Sequence, residues 1–264
     1  MDAETNYADA TPSPAAGSTG PMGRLIGTLI SPIRTFEEID RRPTWIAPIL
    51  IAISINVAFT LFYDWRVKPN FERAIRRQIT TRTERMGGEM PSQDELDRQV
   101  RLGVSFAKWT PVIVTISTPL IYAFLSGLLA LGMLLLRADT TYKKILSVYA
   151  WTSASIGLLA LGMMTATLMV KDSESLRAVD ILDRGSISAS NLGAIFRPAD
   201  PFVRSLLGSL DIFSIWSLVV LSIGLAAVGG SAKVTRSKTA AMVFASWLIW
   251  VVIKAGLASM GFQL

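Results

Sequence analysis

The chain has 264 residues, of which 51% are hydrophobic and 17% charged, with a mean hydropathy of +0.44, too apolar for a soluble domain of this length. It contains no cysteine and no histidine, which excludes disulfides, thiolate nucleophiles, Cys-bound zinc, the Ser-His dyad and the HExxH metal helix. A net charge of +6 in such a chain reads as cationic loops facing anionic lipid, not as a nucleic-acid surface.

Residues 1–19 carry acids where a secretory signal would carry a basic region, and have no apolar core. Their Ala, Pro, Ser, Thr and acids cannot bury enough apolar surface to offset ordering, so a disordered tail is predicted. Residues 20–44 form a juxtamembrane segment. Met22, Leu25, Ile26, Leu29 and Ile30 recur at i, i+3, i+4, i+7 and i+8 and draw the apolar face of a short helix. Ser31 and Pro32 supply an N-cap and a first-turn proline for a second one, with Ile33, Phe36 and Ile39 on one side and Glu37, Glu38 and Asp40 on the other. Both are predicted to lie in the membrane interface until Pro43 ends the second. Arg41, Arg42 and Trp45, together with Trp65 and Trp109 at other span ends, are predicted interfacial anchors.

A bilayer core about 30 Å thick needs about 20 mostly apolar residues in a helix. Five stretches qualify, at about 45–63, 111–136, 145–170, 212–229 and 240–260. The predicted fold is therefore an all-α polytopic membrane protein, its five-span domain running from residue 45 to 264. The second and third spans exceed the minimum, an excess that tilt or a kink at Pro119 absorbs. Residues 66–109 are charged nearly throughout, with Phe71, Ile75 and Ile79 at helical spacing and a break around Gly87, Gly88 and Pro91. They predict an external helical hairpin. Residues 171–211, containing RPADP, predict an external loop with short helical pieces. The remaining connections, RADTTYKK and GSAKVTRSK, are short, so spans two and three, and spans four and five, are antiparallel neighbours.

With the N-terminus inside, ten Lys and Arg fall on the cytoplasmic side and fifteen in the two long outer segments. The short inner loops are densely and almost purely cationic, whereas the outer segments balance their cations with acids. That asymmetry favours a cytoplasmic N-terminus and an external C-terminus.

Lys254 is the one ionisable group well inside a span. Asp211 sits at the outer end of the fourth span, and the two lie at depths about 5 Å apart at the helical rise, within reach of a snorkelling lysine. An Asp211–Lys254 ion pair is predicted. Ser222, Ala226 and Gly230 form a small-residue stripe for close helix approach, and Asn56 offers a hydrogen bond between spans. Trp216, Trp247 and Trp250 read as packing between spans four and five. No phosphate-binding glycine loop occurs, and the outer acids read as a solvated face; no catalytic, metal-binding or cofactor-binding residue is assigned.

The run LIGTLISPIRTFEEIDRRPTWIAPILI, followed downstream by SLDIFSIWSLVVLSIGLAAV and KTAAMVFASWLIWVVIKAGLASM, resembles the bacterial branch of the Yip1 family over roughly residues 22 to 264. The resemblance implies five spans, a cytoplasmic N-terminus and an external C-terminus in a bacterial inner membrane. Eukaryotic relatives bind Rab-type GTPases with a longer cytosolic domain and an Asp-Leu-Tyr-Gly-Pro motif. Here only Asp211, Ile212 and Phe213 echo that motif, so Rab-type GTPase binding is not carried over. Some bacterial relatives accompany ABC-type exporters. The expected function is a non-enzymatic scaffold or accessory partner of another membrane complex; the alternative is a transporter or channel subunit for an apolar or neutral solute.

Overall fold

The computed structural model describes residues 20–171, 191–230 and 234–260. The predicted tail and residues 172–190 of the predicted external loop lie outside them. Among the described residues the structure is helical, with one isolated bridge and no strand.

Four helices are long and apolar enough to cross a bilayer: α3 (Ile46–Val67), α6 (Thr110–Leu135), α7 (Tyr142–Val170) and α11 (Arg236–Ser259). The fifth predicted span is the shorter apolar helix α10 (Ile212–Ala227). Its 16 residues reach about 24 Å at the helical rise, short of the hydrocarbon thickness, so flanking residues complete the crossing. The sequence extends this span to Gly229, but the backbone leaves the helix after Ala227 and Gly230 takes a positive φ of 66°. A side chain at Gly230 would run into the Asp139 carbonyl, and the Asp139 N–H donates to Gly229 O at 2.9 Å. These contacts join the α6–α7 turn to the segment that follows α10.

α7 is the central helix, packing against α3, α6 and α10, while α10 also packs against α11. Its first half carries Ile145, Val148, Trp151 and Ala154 into the main core, where they meet Leu221, Leu225 and Val228. A second small cluster, Phe59, Tyr63, Val67 and Leu168, closes α3 against the far end of α7. The Arg66 guanidinium donates to Lys171 O at 2.7 Å beside it.

Two short helices precede the spans, α1 (Pro21–Ile30) and α2 (Pro32–Arg41), each opened by a proline. Ser31 separates them as predicted, though its hydroxyl caps nothing; its N–H donates to Gly27 O at 2.8 Å and its carbonyl accepts from Thr35. The crossing is close enough that a side chain at Gly27 would meet Thr35 Oγ1. The expectation that both helices lie on lipid is corrected for α2. Phe36 and Ile39 are fully buried against α7 and α10, so protein covers two of the three apolar residues that periodicity assigned to the interface, while Ile33 stays exposed. α1 divides its apolar surface: Leu25 enters the core, while Met22, Ile26 and Ile30 point outward.

At the other end stand α4 (Phe71–Met86) and α5 (Gln93–Lys108), the predicted hairpin. Gly87 ends α4 at φ 64°, and the N–H of Gly88 reaches back to Thr83 O, a glycine-terminated helix end. Ser92 accepts from Glu95 N–H to start α5. The two helices meet through Gly103 against Ile75 and through Arg76, which donates to Asp97 at 2.6 Å. That bond, with Glu72 at 3.7 Å, holds the Arg76 guanidinium above its ordinary pKa. Two short helices, α8 (Leu192–Phe196) and α9 (Pro201–Ser209), fill the described part of the predicted loop, with α9 against α11. Leu192 N–H donates to Leu210 O at 3.2 Å, so this excursion closes on itself before α10 begins.

Candidate functional site

The most elaborate polar constellation lies where α1, α2, α3 and α7 meet. Arg24 sits on the inward face of α1 between Leu25 and Thr28, all three buried. Its guanidinium donates to Glu38 Oε1 at 2.8 Å through Nη2 and 3.3 Å through Nε, and through Nη1 to Thr44 Oγ1 at 2.6 Å and Arg42 O at 3.3 Å. From the opposite side the Trp151 indole N–H donates to Thr44 O at 2.9 Å. The Arg24 side chain is 6% exposed and the Glu38 side chain 26%.

One side chain thus ties together both short helices and the strap that enters the membrane at α3. The planar fork of arginine suits this task, since it presents five donors in fixed directions to a carboxylate, a hydroxyl and a carbonyl. A buried guanidinium is costly unless paired, and here its charge is matched by a carboxylate at hydrogen-bond distance. A second ion pair, Lys144 to Asp40 at 2.7 Å, pins the end of α2 to the start of α7. Of the acidic face predicted on α2, Glu38 and Asp40 are therefore turned to the protein and Glu37 is exposed.

The arrangement is a structural clasp. Its single carboxylate is engaged by Arg24, and among the described residues no group of three His, Cys, Asp or Glu gathers as metal ligands would. An open groove between α4 and α5, with a volume near 420 Å³, is lined by Glu72, Arg76, Asp97 and Arg101 among others; the first three of these pair with one another.

The predicted site residues fall as follows. Arg41, Arg42, Trp45, Trp65 and Trp109 are all exposed at helix ends, and Arg42 also lends its carbonyl to the clasp. The Asp211–Lys254 ion pair does not form. Asp211 instead caps α10, Oδ1 accepting from Phe213 N–H at 2.8 Å and Oδ2 from the Ser214 hydroxyl at 2.9 Å. Asp211 is held at its own helix end, and Asp211 and Lys254 share none of the described ion pairs. The small-residue stripe is cut short. Ser222 is buried, and its carbonyl accepts from the Thr239 hydroxyl of α11 at 2.9 Å; Ala226 is half-buried, and Gly230 lies beyond the helix. The close approach is made by Gly224, where a side chain would strike Val148 and Phe36. Asn56 bonds to Ala52 O of its own helix, not across. Of the three inner tryptophans Trp247 packs against the core, while Trp216 and Trp250 are exposed.

Arg24, Thr44, Trp151 and Gly224 carry this junction, and sequence reading assigned none of them to it. Glu38, Arg42 and Thr44 of the clasp fall within the run that supplied the family resemblance, while Arg24 stands one residue before it and Trp151 lies far downstream. Comparison with protein-family models agrees, matching the Yip1 domain over residues 26–259. The chain belongs to the Yip1 family. This Yip1-domain protein is similar to the membrane protein YknW of Bacillus subtilis (strain 168), 29% identical over 234 residues that make up 87% of this chain and 85% of that one. No solved structure matches it. Within the Yip1 domain, the clasp binds the amino-terminal helix pair to the spans. Arg24 and part of α1 precede the matched region, while Glu38, Thr44 and Trp151 lie inside it.

Proposed function

We propose that this Yip1-domain membrane protein is non-enzymatic and acts as an accessory or scaffold subunit of another membrane complex, with its N-terminus cytoplasmic, its C-terminus external and its home the inner membrane of a bacterium. The observation that carries this reading is the docked helix pair. Arg24 and Lys144 fix α1 and α2 to the bundle, and the side they leave free presents Arg34, Glu37, Arg41 and Arg42 to solvent. A rigid charged platform loses little conformational entropy on binding, whereas anchoring alone asks only for an arginine and a tryptophan near the span. Charged rim residues of this kind steer and select a partner.

Purification in mild detergent, followed by identification of whatever co-elutes, tests the proposal. A membrane partner is expected with the parent chain, lost or weakened when Arg34 and Arg41 are both changed to Glu. Repeated recovery of the chain alone overturns it. The transporter or channel reading has one observation in its favour: the hydroxyls of Ser126 in α6 and of Thr152 and Ser155 in α7 are buried without a hydrogen-bond partner. Solute flux by the purified protein alone in liposomes supports that reading, and its absence leaves the accessory role.

A further inference from the structure

The outer hairpin carries an apolar line that its charged composition hides. On α5, Leu102 and Phe106 are 57% and 67% exposed, and Trp109 at the junction with α6 is 61% exposed. The same three- and four-residue spacing continues down α6 through Ile113, Ile116, Leu120 and Phe124, all exposed. The opposite face of α5, with Asp97, Val100 and Gly103, is occupied by α4. One continuous stripe therefore passes from the bilayer-facing side of a membrane span into a helix outside it.

The junction permits this. Pro111 has no N–H to give to Ala107 O, and the Thr110 hydroxyl takes that acceptor at 2.7 Å. The chain thereby passes from α5 to α6 with the Ala107 carbonyl satisfied and a proline at the place where helices bend. Charge follows the same plan. From Arg98 to Trp109 there are three cations, Arg98, Arg101 and Lys108, and no carboxylate; all three are exposed, Arg98 beside the apolar line, Lys108 next to Trp109 at the junction, and Arg101 on the groove toward α4.

We propose that the C-terminal half of α5 lies in the lipid headgroup layer of its own bilayer, with Leu102 and Phe106 entering the acyl boundary and Arg98 and Lys108 against lipid headgroups. Burying large apolar side chains is favourable by about 1.5–3 kcal/mol each, and snorkelling cations flanking such a stripe mark an interfacial helix. Leu102 stands about 10 Å along the helix from Trp109, within the depth over which an interfacial helix meets lipid once α5 leans. The hairpin is then a membrane-seated element whose α4 side faces water, independent of whether a partner protein binds.

The absence of cysteine makes the test direct. Spin labels at Leu102→Cys and Phe106→Cys are compared, in vesicles of phosphatidylethanolamine and phosphatidylglycerol, with Leu120→Cys as the lipid reference and Glu89→Cys as the water reference. Labels at 102 and 106 are expected to be relaxed by oxygen and shielded from a water-soluble nickel chelate, as at 120. Nickel accessibility like that at 89 overturns the proposal. Shielding from both reagents also overturns it, because it means that protein covers the stripe. Exchanging phosphatidylglycerol for zwitterionic phosphatidylcholine is expected to raise nickel accessibility at 102, because the cations lose their net anionic counterpart; greater shielding on that exchange counts against the proposal.

Discussion

A single guanidinium fixes how the amino-terminal region sits. Arg24 is almost fully enclosed, and Glu38, its counter-ion, is three-quarters covered, so removing the cation takes the buried charge match from a carboxylate that lacks full solvation. Breaking such a pair costs about 3–5 kcal/mol when both ions are buried; with Glu38 partly wet, Arg24→Met is expected to cost about 2–3 kcal/mol. Thermal unfolding in detergent checks this, and limited trypsin digestion should show faster cleavage after Arg34 and Arg41 as the helix pair lifts. Trp151→Phe keeps most of the packing and loses one hydrogen bond to Thr44, about 1 kcal/mol, so its melting point should fall less than that of Arg24→Met. The two groups predicted to pair within the membrane behave differently from one another. Asp211→Ala removes an N-cap and should cost about 0.5–2 kcal/mol, whereas Lys254→Met removes no described partner and should leave stability unchanged or raise it. Equal losses at both positions, measured by the same melts, would restore the ion pair.

At the scale of elements, the contact of α2 with α10 depends on a position without a side chain. Gly224 faces Val148 and Phe36, and Gly224→Leu must push α2 or α7 away, at about 1–3 kcal/mol. Ala226→Leu, at the half-buried position two residues on, should cost less, and protease sensitivity of α2 should rise for the first variant only. The spans themselves were legible, because a run of about 20 apolar residues has few other readings. The hairpin was legible too, since Gly87, Gly88 and Pro91 interrupt its period. What the period cannot express is which surface an amphipathic face meets. Phe36 and Ile39 give the same signal over lipid as against α10, so α2 was assigned to the interface. Arg24 was hidden for a related reason, as a cation near a first span satisfies the positive-inside pattern whether it faces headgroups or Glu38. Trp151 lies in a helix apolar on every side, where no period singles it out. The stripe on α5 was masked by the acids and arginines around it, and Gly230 looked helical because its spacing from Ser222 and Ala226 is helical.

Across the whole molecule, packing fixes which helix ends share a face. α1 and α2 contact α7, and α2 also meets the later half of α10, while the α6–α7 turn is bonded to the segment following α10. The amino-terminal pair and both short connections therefore lie at one end of the bundle. The hairpin α4–α5 and the α8–α9 excursion follow or precede spans at the other end. With α10 completing its crossing the number of spans is odd, and the two ends of the Yip1 domain must lie on opposite sides of the membrane. The cation-dense short connections then belong with α1 and α2, the end that the proposed orientation puts in the cytoplasm. A membrane-impermeant maleimide added to intact cells should label Glu89→Cys on the hairpin and spare Glu37→Cys on α2 until the membrane is opened. Reversal of that pattern would invert the protein. Labelling of both before opening would contradict the crossing of α10, the helix whose 16 residues make it the most demanding of the five to fit.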